Sequence, residues 1–374
     1  MYDGILSAFS NEVEGTLYDP SLVSNLNQLS TGTTPVTVAT DPVGLILDSR
    51  LGLVLGPELV TNGDFSNGTT GWSAVNGATL AVVDGELEVT GAGGSYPLGT
   101  RNITTVIGNS YKCVVTCRRG TSASNARIIC GTPYVDTSST SNVQIQQIFV
   151  AVATTTAISC AIGSATGTGT VYFDNISVKL LEGNHAIQAT AAARPTWEVD
   201  ADGNYYLKFL GTDDSLASAT GGGGSAGFFW CGVVEPTGGA GAVRILFSDR
   251  TVASFIGYSA YISVTNKLSL QAGNGVGYTS HESTATVNVD TKYLLTVWDD
   301  GTNLNVQINS AAAETVARPV VVAGTAGFTI GKDNGIAQYY FIGNLYPFVY
   351  VKGSGLTAAQ RAAVQAYCRM KGGL

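Results

Sequence analysis

Charge is scarce in this chain. Asp, Glu, Lys and Arg make up 12% of 374 residues, about half the share of an ordinary globular protein. That argues against helices laced with ion pairs. The 19 basic residues face 27 acidic ones, and Arg118-Arg119 is the only adjacent basic pair. Without concentrated positive charge, nucleic acid is not expected as a partner. There are two histidines, His185 and His281, no His-x-x-x-His pair and no Gly-x-Ser-x-Gly elbow, so zinc-protease and serine-hydrolase chemistry lack their parts. No run approaches 18 apolar residues, so no membrane-spanning helix is expected. The opening stretch MYDGILSAFSNEVEG has no basic region and is broken by Asp3, Glu12 and Glu14, unlike a secretory signal. Residues 1–16 have no core of their own and read as an arm that a partner orders. Six cysteines (Cys113, Cys117, Cys130, Cys160, Cys231 and Cys368) are scattered without a CxxC pair. Cys113 and Cys117 share a strand face about 13 Å apart, too far to bridge each other. The six read mainly as small buried hydrophobes; bridges within residues 53–182, or between subunits, are the alternative.

What the chain does have is 44% hydrophobic residues and 47 glycines, a profile of many antiparallel strands joined by turns. The length calls for two or three domains. Tyr205 to Leu210 alternates as a half-buried strand should, and Asp300-Gly301 marks a hairpin. Strands are also expected at Thr33–Val38, Leu45–Leu47, Ala253–Ile256 and along most of 227–351. Leu22, Leu26 and Leu29 are spaced for a turn or two of helix. Gly221 to Ser225 reads as a surface loop, since no Lys-Ser/Thr follows it. The clearest helix is Leu356 to Cys368, with Thr357 and Gln360 forming a capping box and Gly372-Gly373 ending it. Its apolar face is Leu356, Ala359, Ala363, Val364 and Tyr367.

The runs Leu17-Tyr18-Asp19-Pro20-Ser21, Pro42-Val43-Gly44-Leu45-Ile46-Leu47-Asp48 and Gly183-Asn184-His185-Ala186, with the closing Leu-Thr-Ala-Ala-Gln helix, resemble the concanavalin A-like (laminin-G-like) β-sandwich of bacteriophage virion proteins. In that family the Leu-Asp leads almost directly to the Gly-Asn-His-Ala run; here about 130 residues intervene. The interruption itself resembles a β-jelly-roll carbohydrate-binding module. It opens on Asn62-Gly63-Asp64-Phe65 with Gly71-Trp72, and it closes on Asp174-Asn175-Ile176-Ser177-Val178. The expected fold is therefore all-β: an arm (1–16), a sandwich in two parts (17–52 and 183–352), an inserted jelly roll (53–182) and a C-terminal helix (353–374). The ends of the insert should lie close together, as insertion into a loop requires.

Candidate sites are few. Glu198-x-Asp200-x-Asp202 echoes the acid strand of laminarinase-type glucanases, but Asp202-Gly203-Asn204 is turn chemistry that would not hold carboxyls about 5 Å apart. No catalytic residue is assigned, and turn or surface roles are expected for both histidines. The jelly-roll resemblance implies a structural calcium at Asp64 and Asp174, which would need several carbonyl oxygens besides. Sugar binding would need exposed rings: Tyr96, Tyr134 and Trp72 are the candidates, with Tyr111 and Tyr172 also available. By its place after Gly71 in the motif, Trp72 is more often a core residue than a platform. Tyr258, Tyr261, Tyr278, Tyr339 and Tyr340 could serve a ligand or a subunit contact.

The expected function is a non-enzymatic virion protein of the capsid-decoration, head-fibre or tail-fibre type. It would hold other virion proteins through its arm, bind host or environmental glycans and form a homo-oligomer, for instance a trimer. Assembly in the bacterial cytoplasm and release by lysis would place it on the virion surface. A glucanase-type enzyme and a mechanical cement or spacer without ligand are the rivals.

Overall fold

The computed structural model describes residues 14–374 apart from 52–53, 94–95, 132–133, 222–225, 252–254, 325–326, 335, 337 and 354–355. The chain is all-β with one α-helix near its C-terminus. It divides into two compact units. The larger holds the described residues within 1–30, 34–52 and 183–374, and the smaller those within 31–33 and 53–182.

The larger unit is a sandwich of an eight-stranded and a nine-stranded sheet. The first is built on Ile342–Lys352, which pairs with Tyr205–Leu210, Phe228–Pro236 and Gly15–Tyr18. Gly15 and Thr16, assigned to the arm by sequence, thus belong to a strand. In the second sheet Leu45–Ile46 pairs with Ala186–Ile187, Ile46 opposite Ala186. The strand before the interruption and the strand after it are neighbours. Asp48 ties them further. Its carboxylate accepts the Leu17 and Asn184 N–H groups at 3.1 and 3.3 Å, and its own N–H donates to His185 Nδ1 at 3.0 Å. His185, expected in a turn or at the surface, is a buried residue of this junction. Between the sheets lies an apolar layer in which Phe247 meets Phe328 and Tyr350 with ring centroids 5.3 and 5.2 Å apart. Burying side chains of this size contributes about 1.5–3 kcal/mol each.

A second apolar cluster lies on the other face of the eight-stranded sheet, beneath the Ala358–Gly372 helix. Thr357 caps the helix through the expected box with Gln360, and Gly373 closes it at φ 72°. The helix packs on its own unit through Val364, Tyr367 and Cys368. Gly372 is also buried, and a Cβ there would sit 2.6 Å from Val233, so only glycine allows this approach. Ala359 is exposed. The buried stripe is therefore rotated from the one read off the apolar spacing, because Cys368 and Gly372 join it.

Local periodicity failed at two places near the start. Only Val23–Asn25 is helical, as a 3-10 turn, because Leu26 leaves it to pair with Ile46. Thr33 to Val38 forms no strand beyond a single bridge, Asn27 to Pro35. At Leu26, ladder pairing with a residue 20 positions away overrode the helical spacing. Residues 253–254 of the strand expected at Ala253–Ile256 and 222–225 of the expected loop lie outside the described residues; Phe255 is in a turn, Ile256 makes only an isolated bridge to Thr251, and Gly221 ends the strand Leu216–Gly221.

The smaller unit packs a five-stranded sheet on a six-stranded one. Its first strand, Leu55–Glu58, pairs with the end of its last, Thr168–Leu181, with Leu55 opposite Leu181. Strict alternation in Ser110–Arg119 sends Tyr111, Cys113, Val115 and Cys117 inward.

Candidate ligand face

The five-stranded sheet runs in the order Val135–Thr137, Ala126–Cys130, Thr155–Ile162, Leu98–Thr104, Ser73–Val75. Its inward residues include Ile128, Cys130, Ile158, Cys160 and Ile162. Pleating then places Arg127, Ile129, Ser159, Ala161, Leu98 and Thr100 on the opposite face. One row across that face reads Asp136, Arg127, Ala161, Leu98, Val75. The next reads Ile129, Ser159, Thr100, Ser73. The central strand therefore carries only small side chains, and Ala161 and Ser159 are 0% and 7% exposed. The taller flanking side chains close over this small-residue track, which opens to solvent at Ala157.

Polar groups along the track are fixed in place. Thr100 Oγ1 and Ser159 Oγ lie 2.9 Å apart. Asp136 accepts from Arg127 at 2.9 Å and from Asn125 at 3.1 Å. Tyr134 stands at the outer edge, 51% exposed, with the Arg127 guanidinium 3.5 Å from its ring centroid. A cation held there orients the ring and leaves its other face to solvent. Tyr96, 41% exposed, lies past the end of the Leu98 strand, near the opposite corner. Its φ is +46°, an uncommon backbone conformation for an aromatic residue and one that concentrates at functional sites. Three strand spacings and four residues put the two tyrosines about 20 Å apart. The two rings can stack on the ends of an extended, hydroxyl-rich ligand.

The remaining expected residues are placed elsewhere. Trp72 is not a platform. It is 6% exposed, packs on Phe65 at 5.5 Å and donates Nε1–H to the Asn62 carbonyl at 3.1 Å. Tyr111 is buried against Phe149, and Tyr172 lies beneath the Arg118 guanidinium with its hydroxyl on Glu88 at 2.7 Å. Asp64 is exposed and accepts Ser66 N–H and Oγ–H, which lowers its pKa. Burial raises that of Asp174, which accepts two bonds from its own neighbour Asn175; the nearby Glu86 and Asp64 charges add to the rise. Among the described residues no group of three His, Cys, Asp or Glu is arranged to hold a metal. Two carboxyls already bonded to their neighbours do not by themselves fit an ion that wants six to eight oxygens.

In the larger unit Tyr258 belongs to the core. Tyr261 and Tyr339 line a cleft of about 280 Å³ with Arg250 and Gln271. Tyr278 packs on Phe255, and Tyr340 sits beside Lys332. The acidic run does not form a paired site. Asp200 Oδ1 accepts the Asp202 and Asn204 N–H groups at 2.9 and 2.8 Å, closing the turn, and Lys292 Nζ sits 2.6 Å from its Oδ2. Burial pushes the Asp200 carboxyl up, but Lys292 and Asn204 outweigh it and hold the carboxyl well below the usual carboxylate range. A lowered folded pKa contributes stability above the unfolded value and loses it as pH falls. Asp200→Asn is therefore expected to cost about 1–2 kcal/mol at pH 7. The gap to the parent should close as pH drops below about 4, read from melting temperatures at pH 7 and pH 3.

No protein-family model and no curated protein matches the chain. Among solved structures it is similar to a CBM4 structure at 18% identity, covering 32% of this chain and 99% of that one with a TM-score of 0.26. It is also similar to the Ruminococcus gnavus IT-sialidase CBM40 bound to α2,3-sialyllactose, at 12% identity, 44% and 96% coverage and a TM-score of 0.34. The enzymatically active domain of bacteriophage CBA120 tailspike protein 2 matches at 13% identity with a TM-score of 0.36. There the match covers 50% of this chain and 30% of that one. Carbohydrate-binding modules and a phage tailspike domain are thus among the similar structures, at TM-scores too low to bear on function.

Proposed function

We propose that the protein is a non-enzymatic, glycan-binding adhesion component of a phage virion, displayed on the particle surface. The observation that supports the glycan reading is the pair of exposed rings, Tyr134 and Tyr96, standing about 20 Å apart on either side of the small-residue track of the five-stranded sheet. Membership of a virion, anchoring to other virion proteins through the N-terminal arm and self-association rest on the sequence resemblance. The sheet supplies rigid backbone under the track, so a bound oligosaccharide would lose freedom while the protein loses little. The test is a glycan array with the full chain, followed by calorimetry on the retained glycan. Tyr134→Ala is expected to weaken binding about tenfold or more, since a truncated aromatic anchor commonly costs about 2 kcal/mol. Its melting temperature should stay within about 2 °C of the parent, because an exposed ring contributes little to the core. An array on which the parent retains no glycan would remove the proposal and leave the spacer reading.

A further inference from the structure

The four cysteines of the smaller unit, Cys113, Cys117, Cys130 and Cys160, are buried in one core. Cys113 lies in Ser110–Arg119 of the six-stranded sheet, and Cys130 ends Ala126–Cys130 of the five-stranded sheet. Their Sγ atoms are 3.0 Å apart. A disulfide is about 2.0 Å long, so about 1 Å of approach separates contact from bond. Cys117 is four residues along the same strand as Cys113, about 13 Å away. Cys160 sits on the strand beside Cys130, in the same sheet. Among these thiols, the Cys113–Cys130 contact is one that spans the two sheets.

We propose that Cys113 and Cys130 form a covalent cross-linking site, joined as an inter-sheet disulfide when the chain folds in the presence of a disulfide oxidant such as oxidised glutathione. One protein thiolate attacks a sulfur of the oxidant and expels a glutathione thiolate. The second protein thiolate then attacks the mixed disulfide at the protein sulfur, forming the Sγ–Sγ bond and expelling the other glutathione thiolate. Two electrons pass to the oxidant, and the two thiol protons end on the two glutathiones. The finished core shields both sulfurs, and burial pushes the Cys130 thiol well above its ordinary pKa. Thiolate is the attacking species, so the folded unit reacts slowly and the bond forms during folding or transient opening. It is independent of what the outer face of the sheet binds.

The experiment is refolding of the full chain from denaturant with and without oxidised glutathione, followed by thiol titration and disulfide peptide mapping. With oxidant, the map should join Cys113 to Cys130, and the unit's thermal transition should rise by about 10 °C over the reduced form. Cys130→Ser should lose the cross-linked peptide and the shift. If that variant fails to fold, Cys113→Ala and the parent's own peptide map serve in its place. Both cysteines still alkylatable after oxidative refolding would overturn the proposal, as would a map pairing either one with Cys117 or Cys160.

Discussion

Replacing Asp299 with alanine is expected to destabilise the larger unit by about 3–5 kcal/mol, the usual cost of breaking a buried ion pair on one side. Asp299 ends the Tyr293–Asp299 strand and is fully buried. Its carboxylate accepts Arg318 Nε–H at 2.6 and 2.8 Å, the Tyr258 hydroxyl at 2.6 Å and the Gly301 N–H at 2.8 Å. One side chain thus satisfies a guanidinium, a core phenol and the hairpin it closes. Burial and the Asp299 charge push the Tyr258 phenol far above its ordinary pKa, so it remains a donor. Alanine would strand that hydroxyl inside the core and take from Arg318 its carboxylate partner. The measurement is the urea midpoint of the larger unit at an unchanged m-value. A loss under about 1 kcal/mol would show that water replaces the carboxylate, and the network would then not be a fixed part of the core.

Trp72→Ala should cost the smaller unit about as much, 3–5 kcal/mol in the usual range for a buried Trp. Its ring fills the space over Phe65, and its indole N–H satisfies the Asn62 carbonyl. Asn62 and Phe65 both hold positive φ, 53° and 52°, so the loop they shape depends on the packing that Trp72 supplies. At low temperature, glycan affinity per folded molecule should be unchanged. Tyr134→Ala should show the reverse: affinity lost and stability kept. A Trp72→Ala protein that melts normally but no longer binds glycan would restore Trp72 to the ligand face.

These two variants also mark what was legible in the sequence. The all-β class followed from scarce charge and frequent glycine. The C-terminal helix followed from Thr357 and Gln360, because a capping box is a local signal. The Asp48 and Asn184-His185 contact lies at the runs that carried the family resemblance. The track is different: Ala157, Ser159 and Ala161 alternate visibly, but nothing in that strand says that Arg127 and Leu98 stand on either side. That depends on register between residues more than 30 positions apart. For Trp72 the place after Gly71 in the motif favoured the core over a platform, and the ring is buried there. Leu22, Leu26 and Leu29 misled because pairing of Leu26 with Ile46 outweighed their helical spacing. The Asp299, Arg318 and Tyr258 network has no local signature, since its ion pair joins residues 19 apart and its phenol lies 41 residues from Asp299.

The pairing of Leu55 with Leu181 has a kinetic consequence. Ile46 cannot find Ala186 until about 140 residues have been brought back, a slow closure for an unstructured chain. Once the smaller unit has folded, its joined ends shorten that path to about fourteen residues. The closure entropy then falls by about 2 kcal/mol. During synthesis the whole of the smaller unit emerges before the strand that completes the larger one, so the natural order is inner unit first. The inserted domain thus acts as a folding clamp for the sandwich that surrounds it in sequence.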